Sequence, residues 1–73
     1  MWGAQSDEVV VDGRSYTVWW TEDEFEVVRH GYAVRSQHQA IRATMLGLVP
    51  EVTGCRIRDV EGDSGEMHGT LTC

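Results

Sequence analysis

The chain has 73 residues, a length that fits one small domain and excludes enzymes built from two barrels. Its 41% hydrophobic content and three Trp residues are typical of a folded domain, and its net charge of −6 argues against general attraction to nucleic acid or anionic lipid. The first residues carry no secretory signal, and no apolar run approaches the roughly 20 residues of a membrane span. We therefore expect a cytoplasmic protein whose two Cys are reduced. Residues 1–7 are expected to be a flexible N-terminal segment of a single domain, 1–73.

The first predicted element is a β-hairpin in the run EVVVDGRSYTVWW. Asp12-Gly13 separates two β-rich segments, as a two-residue type I′ turn requires, because Gly tolerates a positive φ. Pairing across this turn sets Val9 opposite Tyr16. The predicted core face of the hairpin then consists of Val9, Tyr16, Val18 and Trp20.

Trp19 falls on the opposite face of the same hairpin, because side chains alternate along a strand. Two interpretations of this residue stay open. It is either an anchor for a partner, since aromatic residues dominate interface hot spots, or it packs beneath the N-terminal segment near Trp2.

A third strand and a helix follow along the chain. The run FEVVRHG predicts the strand, which ends at Gly31. Ser36 and Gln39 have the spacing of a capping box at the start of a helix, and Gly47 with Pro50 is predicted to stop it. The apolar face of this helix consists of Ala40, Ile41, Thr44, Met45 and Leu48.

Two further strands, GCRIRDV and MHGTLTC, complete the expected fold, which is α+β with the order β-β-β-α-β-β. We expect a small antiparallel sheet with one helix packed on one face. Five strands are roughly 24 Å wide, whereas one helix covers about 10 Å. A homodimer or another protein is the economical cover for the remainder of the apolar face.

The last two strands also bear on the cysteines. If Cys55 lies opposite Cys73, Ile57 faces Leu71 and the apolar residues share one side. A cross-strand disulfide is sterically conceivable in that register. We nevertheless favour two reduced core thiols in a cytoplasmic protein. A zinc site that adds His30 and His68 has no supporting spacing, so no metal or cofactor is expected.

The connection between these strands contains the string Gly-Asp-Ser-Gly at residues 62–65, which matches the nucleophile loop of chymotrypsin-like serine proteases. The match covers four residues, and no second motif identifies a base for Ser64. Gly, Asp and Ser are also the residues that tight turns use, so a turn is the preferred interpretation. The acids of this segment lack the order of an EF-hand calcium loop. With glycine-rich phosphate loops and Cys-x-x-Cys also missing, we predict that the protein is not an enzyme.

Basic residues concentrate in the middle of the chain. Residues 29–58 contain five Arg against Glu51 alone. Within this segment Arg35, His38 and Arg42 fall at helical spacing and could contact phosphates. A solvated face is the preferred interpretation, because nucleic-acid-binding domains normally have a basic pI.

Acidic residues form two clusters near predicted turns, and these are the sites that we expect to bind a partner. They consist of Glu22, Asp23, Glu24 and Glu26 in the first cluster and Asp59, Glu61, Asp63 and Glu66 in the second. Such patches can imitate phosphate spacing and occupy the nucleic-acid groove of another protein. The alternative interpretation is that they provide solubility and protect the strand edges.

The sequence thus favours a small acidic protein-binding module, in its specific form an inhibitor of a nucleic-acid-binding protein. This profile is similar in type to that of anti-CRISPR and DNA-mimic inhibitors, although no motif identifies a family. Two alternatives stay open: a nucleic-acid-binding module that uses the Arg35/His38/Arg42 stripe, and a structural subunit that oligomerises through its exposed sheet face and Trp19.

Overall fold

Five strands form one antiparallel sheet in the order β1-β2-β3-β5-β4 in the computed structural model, which describes residues 4–73. One helix lies between β3 and β4 along the chain and contacts the sheet, so the predicted α+β order is confirmed. The strands are β1 (Gln5–Val11), β2 (Arg14–Trp20), β3 (Glu24–Arg29), β4 (Arg56–Gly62) and β5 (Glu66–Thr72). The helix α1 spans His38–Thr53 and follows a 3₁₀ turn, Arg35–Gln37.

The predicted hairpin is confirmed in turn type and register. Asp12 and Gly13 have φ values of 51° and 76°, as a type I′ turn requires. Val9 pairs with Tyr16, and seven residue pairs continue along the two strands without interruption. The predicted core face is therefore directed toward the helix.

The start of the helix differs from the prediction. Ser36 lies inside the 3₁₀ turn and makes no capping hydrogen bond with its side chain, so the Ser36–Gln39 capping box is wrong. Gln37, and not Gln39, folds back: its Oε1 accepts a hydrogen bond from the Val34 N–H at 3.4 Å and closes the 3₁₀ turn. The same oxygen accepts one from the Arg14 guanidinium at 3.0 Å, which explains the difference: a contact with β2 selects which amide folds back.

The end of the helix also differs, because α1 continues through Gly47 and Pro50 to Thr53. Pro50 cannot donate a hydrogen bond to the preceding turn, which ordinarily disfavours a helix interior. Burial compensates: Val49 is fully buried and belongs to the core, and burying such a side chain contributes about 1.5–3 kcal/mol. The helix stops at Gly54, whose φ of 74° is left-handed and whose N–H donates to the Pro50 carbonyl at 2.8 Å.

The β4–β5 hairpin contains the second correction. Ile57 pairs with Leu71, as predicted. Cys55 and Cys73 form a disulfide with a Cα–Cα distance of 4.4 Å, so the preference for two reduced thiols is wrong. The predicted register places the two sulfurs close together, and the expected compartment does not determine their redox state. A β-bulge at Arg58–Glu61, with Asp59 at a φ of 53°, was not predicted.

The core lies between α1 and the three central strands of the sheet. It consists of Tyr16, Val18, Phe25, Val27, Ile41, Met45, Leu48, Val49, Met67 and Leu71. Apolar residues of the edge strands, such as Val9 and Ile57, are only partly buried against it. One helix therefore covers the centre of the apolar face, and whether a second chain covers its margins stays a prediction.

The segment 1–7, which we expected to be flexible, overlaps with β1, because residues 5–7 lie in this strand. Residues 1–3 lie outside the described residues. Within residues 4–73, no helix combines the length and the apolar character that crossing a bilayer requires.

Candidate partner-binding surface

The sheet register brings residues from both predicted acidic clusters onto the face opposite the helix. Trp19 pairs with Glu26, Glu26 pairs with His68, and His68 pairs with Glu61. Because paired residues share a face, these side chains form a row across β2, β3, β5 and β4. Glu24 and Glu66 lie on the same face beside this row. Arg56 and Arg58 of β4 pair with Thr72 and Thr70, so they lie on the same side of the sheet, at its edge. We call the part of this surface that consists of Trp19, Glu24, Glu26, Glu61, Glu66 and His68 the acidic face.

His68 is the centre of a charged contact on the acidic face. Its Nδ1 lies 3.1 Å from one Glu66 carboxylate oxygen, and its Nε2 lies 3.6 Å from a Glu61 oxygen. The hydrogen bond to Glu66 and the negative charge of that carboxylate raise the pKa of His68, with a smaller contribution from Glu61. When it is protonated, the imidazole is a counter-ion for the two neighbouring carboxylates.

Glu26, on the neighbouring strand β3, makes a side-chain hydrogen bond with Glu66. Burial raises the pKa of the Glu26 carboxyl, and the hydrogen bond with Glu66 and the negative charge of Glu66 raise it further. The repulsion between these two neighbouring carboxyl groups marks a concentration of negative potential. A cationic side chain from a partner would relieve this repulsion.

Trp19 lies at the β2 end of the acidic face with 38% of its surface exposed. Its cross-strand neighbours are Ser6 and Glu26, and Glu8 and Glu24 occupy diagonal positions. It is thus an exposed aromatic ring bordered by carboxylates. Trp2, the alternative packing partner, lies outside the described residues.

The remaining predicted acids do not join this surface. Glu22 and Asp23 lie in the β2–β3 turn, at one end of the sheet. Asp59 lies in the β4 bulge, and Asp63 lies in the β4–β5 turn. Hydrogen bonds from the backbone N–H groups of Gly65 and Glu66 lower the pKa of Asp63, so this carboxylate serves the turn itself.

The predicted basic stripe is engaged with the β4–β5 turn at two of its three residues. His38 Nδ1 lies 2.6 Å from the Ser64 Oγ, and Arg42 donates to the Gly62 carbonyl at 3.4 Å. Arg35 lies in the 3₁₀ turn and is exposed. The spacing of the stripe thus supports contacts within the fold, and its proposed role with phosphates stays a prediction.

The Ser64–His38 pair is a feature that sequence reasoning missed. Ser64 is only 6% exposed, so its hydroxyl is directed into the protein and away from solvent. The pair joins the start of α1 to the β4–β5 turn across 26 residues of sequence. The sequence signal was a Ser at the centre of a Gly-rich turn, and nothing in the spacing identified His38 as its partner. An inward hydroxyl supports the interpretation of the string Gly-Asp-Ser-Gly as a turn.

Arg29 lies close to this pair at the end of β3. Its main-chain N–H donates to the Gly65 carbonyl at 3.0 Å, which fixes the strand against the β4–β5 turn. The Nε and Nη1 atoms of its guanidinium are buried and make no hydrogen bond within the described residues. Asp63 is the nearby carboxylate, and the charge of Arg29 contributes to the low pKa of that group.

The cysteines and histidines do not converge on a metal site. Cys55 and Cys73 are bonded to each other, and within residues 4–73 no group of three or more potential ligands has a suitable arrangement. His30 directly follows β3, and its Nε2 is 2.6 Å from the Thr17 Oγ1.

Comparison of the chain with models of known protein families, with characterised proteins and with solved structures found no match. We therefore assign it to no family, and its function must be argued from its own residues.

Proposed function

We propose that this protein is a non-enzymatic protein-binding module whose acidic face takes a basic surface of a partner protein. The observation that carries the proposal is the row from Trp19 through Glu26 and His68 to Glu61. An aromatic anchor inside a charged border is the arrangement that interface hot spots favour. Carboxylates on neighbouring strands attract cationic partners and speed their association.

The more specific form of the proposal is inhibition of a nucleic-acid-binding protein. Adjacent strands lie about 4.8 Å apart, so the carboxylates of Glu24, Glu26, Glu66 and Glu61 form an array of negative charge across β3, β5 and one end of β4, whose other end carries Arg56 and Arg58. Such an array suits the Arg and Lys side chains with which proteins contact phosphates. Glu22 and Asp23 extend the negative charge at the end of the sheet.

The test uses two variants that each remove two negative charges. E26Q/E61Q changes the acidic face, whereas D12N/E51Q changes exposed acids of the β1–β2 turn and of the helix. Asn tolerates the left-handed conformation of position 12, so the control should fold. Each protein is immobilised and exposed to a nucleic-acid-binding fraction of its source cells, and bound proteins are eluted with duplex DNA.

We expect the wild type and D12N/E51Q to retain the same DNA-eluted protein, and E26Q/E61Q to lose it. W19A should also weaken retention, by about 2 kcal/mol if Trp19 is a hot spot. Equal retention by all variants would overturn the assignment to the acidic face.

Direct measurements test the two other function classes, nucleic-acid binding and a structural homodimer. Binding of labelled duplex DNA or single-stranded RNA is measured by fluorescence anisotropy. An affinity that decreases with salt and is lower in R35A/R42A would replace the proposal with nucleic-acid binding. Light scattering that gives a dimer mass, lost in W19A, would replace it with a structural homodimer. Residence in the cytoplasm stays a prediction. The Cys55–Cys73 disulfide argues against it, because persistent disulfides are typical of oxidising compartments.

A further inference from the structure

The first strand is an open edge of the sheet. Within residues 4–73, β1 pairs only with β2, and its seven residues form an uninterrupted ladder. The opposite edge differs, because β4 is bent by the bulge at Asp59. Bulges protect edges from pairing with another chain, whereas a regular edge exposes a row of unpaired N–H and C=O groups.

The register identifies which backbone groups of β1 are available. In a two-residue hairpin the residues that flank the turn exchange hydrogen bonds, and the pairs then alternate. Val9 and Asp7 therefore bond to β2, whereas Ser6, Glu8 and Val10 direct their N–H and C=O groups outward. The neighbouring strand agrees with this alternation, because the Ser15 carbonyl is directed to β3 and accepts from the His30 N–H at 2.9 Å.

A groove beside this edge can receive side chains from an added strand. It lies between the turn end of β1 and the first half of α1 and has a volume of about 240 Å³. Its lining combines the apolar Val11, Tyr16, Ala40 and Ile41 with the polar Asp12, Arg14, Gln37 and Thr44. Val9 and Val11 are only partly buried on the same side of the sheet. An apolar side chain that alternates inward from an added strand would complete their burial.

The negative charge of β1 indicates which kind of strand could pair with its open edge. Asp7 and Glu8 are both exposed, and Glu8 lies on the helix-free side, where outward side chains of an added strand would meet it. A second copy of β1 would bring these carboxylates together, and like charges on adjacent strands are destabilising. The bulged β4 of a second copy offers no unbroken strand of this length.

We infer that β1 accepts an extended segment of a partner protein, with basic residues beside Glu8 and apolar residues directed over Val9 and Val11. Main-chain hydrogen bonds to Ser6, Glu8 and Val10 would supply affinity, and the alternation of basic and apolar side chains would supply specificity. Glu8 also borders Trp19 of the acidic face, so the two sites adjoin. The inference nevertheless rests on the outward backbone groups of β1, which the proposed function does not use.

The probe is a fluorescent peptide of alternating arginine and valine, as long as β1. The control probes are a glutamate–valine peptide and the same arginine–valine peptide with alternate backbone nitrogens methylated. The matched protein variants are V10P, which removes one outward N–H, and V10A, which keeps it. Because Val10 is 65% exposed and its N–H does not bond to β2, V10P should fold, and circular dichroism checks this.

We expect only the unmethylated basic peptide to bind, and to bind V10P about tenfold more weakly than V10A, as loss of one intermolecular hydrogen bond implies. In amide exchange by NMR, Ser6, Glu8 and Val10 should become protected when this peptide is added to the wild type. E8Q should reduce the affinity by about two- to fivefold at low salt.

Three results would overturn the inference. Equal binding of the methylated peptide would show that backbone pairing is not used. Unchanged exchange at β1 together with shifts at Glu26 and His68 would place the peptide on the acidic face and support the proposed function instead. Protection of β1 that grows with protein concentration in the absence of peptide would identify a second copy as the occupant.

Discussion

The two outer hairpins of the sheet reach similar strand pairings by different means. The β1–β2 hairpin has seven regular pairs around a turn whose residues suffice to specify it. The β4–β5 hairpin has a bulge, a disulfide, and a turn held by a hydrogen bond from α1. The first hairpin is thus determined by residues adjacent in sequence, whereas the second depends on contacts that the rest of the fold supplies.

This difference predicts where single substitutions are tolerated. A locally specified hairpin has several redundant sources of stability, so one change removes a small part of them. A hairpin held by tertiary contacts depends on each contact separately. Gly13 and Gly62, which both have a positive φ, allow a direct comparison of the two hairpins.

The largest expected effect is at Gly62, which ends β4 with a φ of 112°. A Cβ atom at this position would collide with the Glu66 carbonyl oxygen and approach the Met67 Cα to 2.9 Å. Since both neighbours are backbone atoms, they cannot rotate away. We expect G62A to reduce the free energy of unfolding by about 4 kcal/mol.

Gly13 provides the matched control in the first hairpin. It also has a positive φ, but a Cβ there would meet nothing within 4 Å. G13A should therefore cost only about 1 kcal/mol, the conformational term alone. Urea denaturation of both variants measures the two values, and equal losses would contradict the proposed difference between the hairpins.

The next effect comes from the disulfide, which closes a loop of 18 residues between the end of the helix and the end of β5. Constraint of the unfolded chain by a loop of this size contributes about 3 kcal/mol. Adding reductant should lower the stability of the wild type by that amount and leave C55A/C73A unchanged. Amide exchange should then accelerate in β4 and β5 more than in β1, and a uniform increase would contradict local dependence.

The same contrast explains how much of the structure could be predicted from the sequence. Asp12-Gly13 and the alternation around it predicted the first hairpin with the correct register, because these signals act between neighbouring residues. The sheet order could not be read this way, and neither could the position of the helix ends. Gln37 closes the 3₁₀ turn before the helix and contacts Arg14 of β2, and the helix continues past its predicted stop with Val49 buried.

The candidate surface was predictable in part. The acids were identified by clustering in sequence, but Glu26 and Glu66 meet only because β3 pairs with β5, which requires the fold. The sequence does not indicate the role of His68, which contacts the carboxylates of Glu66 and Glu61. Ser64 was correctly interpreted as part of a turn, and its partner His38 is 26 residues away.

A smaller effect is expected at Ser64. Replacing this residue by Ala removes a buried hydroxyl and its hydrogen bond with His38. S64A should cost about 1–2 kcal/mol. S36A is the control, since Ser36 is exposed and makes no capping hydrogen bond, and it should change stability by less than about 0.5 kcal/mol. A larger loss in S36A than in S64A would restore the capping box and remove the significance of the Ser64–His38 pair.

The smallest effect concerns the pH dependence that His68 gives to the β4–β5 hairpin. Its pKa in the folded protein is raised above the ordinary value of 6.5, first by the hydrogen bond to Glu66. The stabilisation by the charged imidazole is therefore fully present below about pH 6.5 and is lost as the pH rises through the folded-state pKa.

E66Q removes the carboxylate responsible, so the pKa of His68 should fall toward its ordinary value and the loss of stability above pH 6.5 should become shallower. NMR titration of the His68 ring measures this shift, with E51Q on the helix as the charge-matched control. An unchanged pKa in E66Q would mean that Glu61 alone holds the imidazole, and the link between β3, β5 and β4 on the acidic face would then lose its central contact.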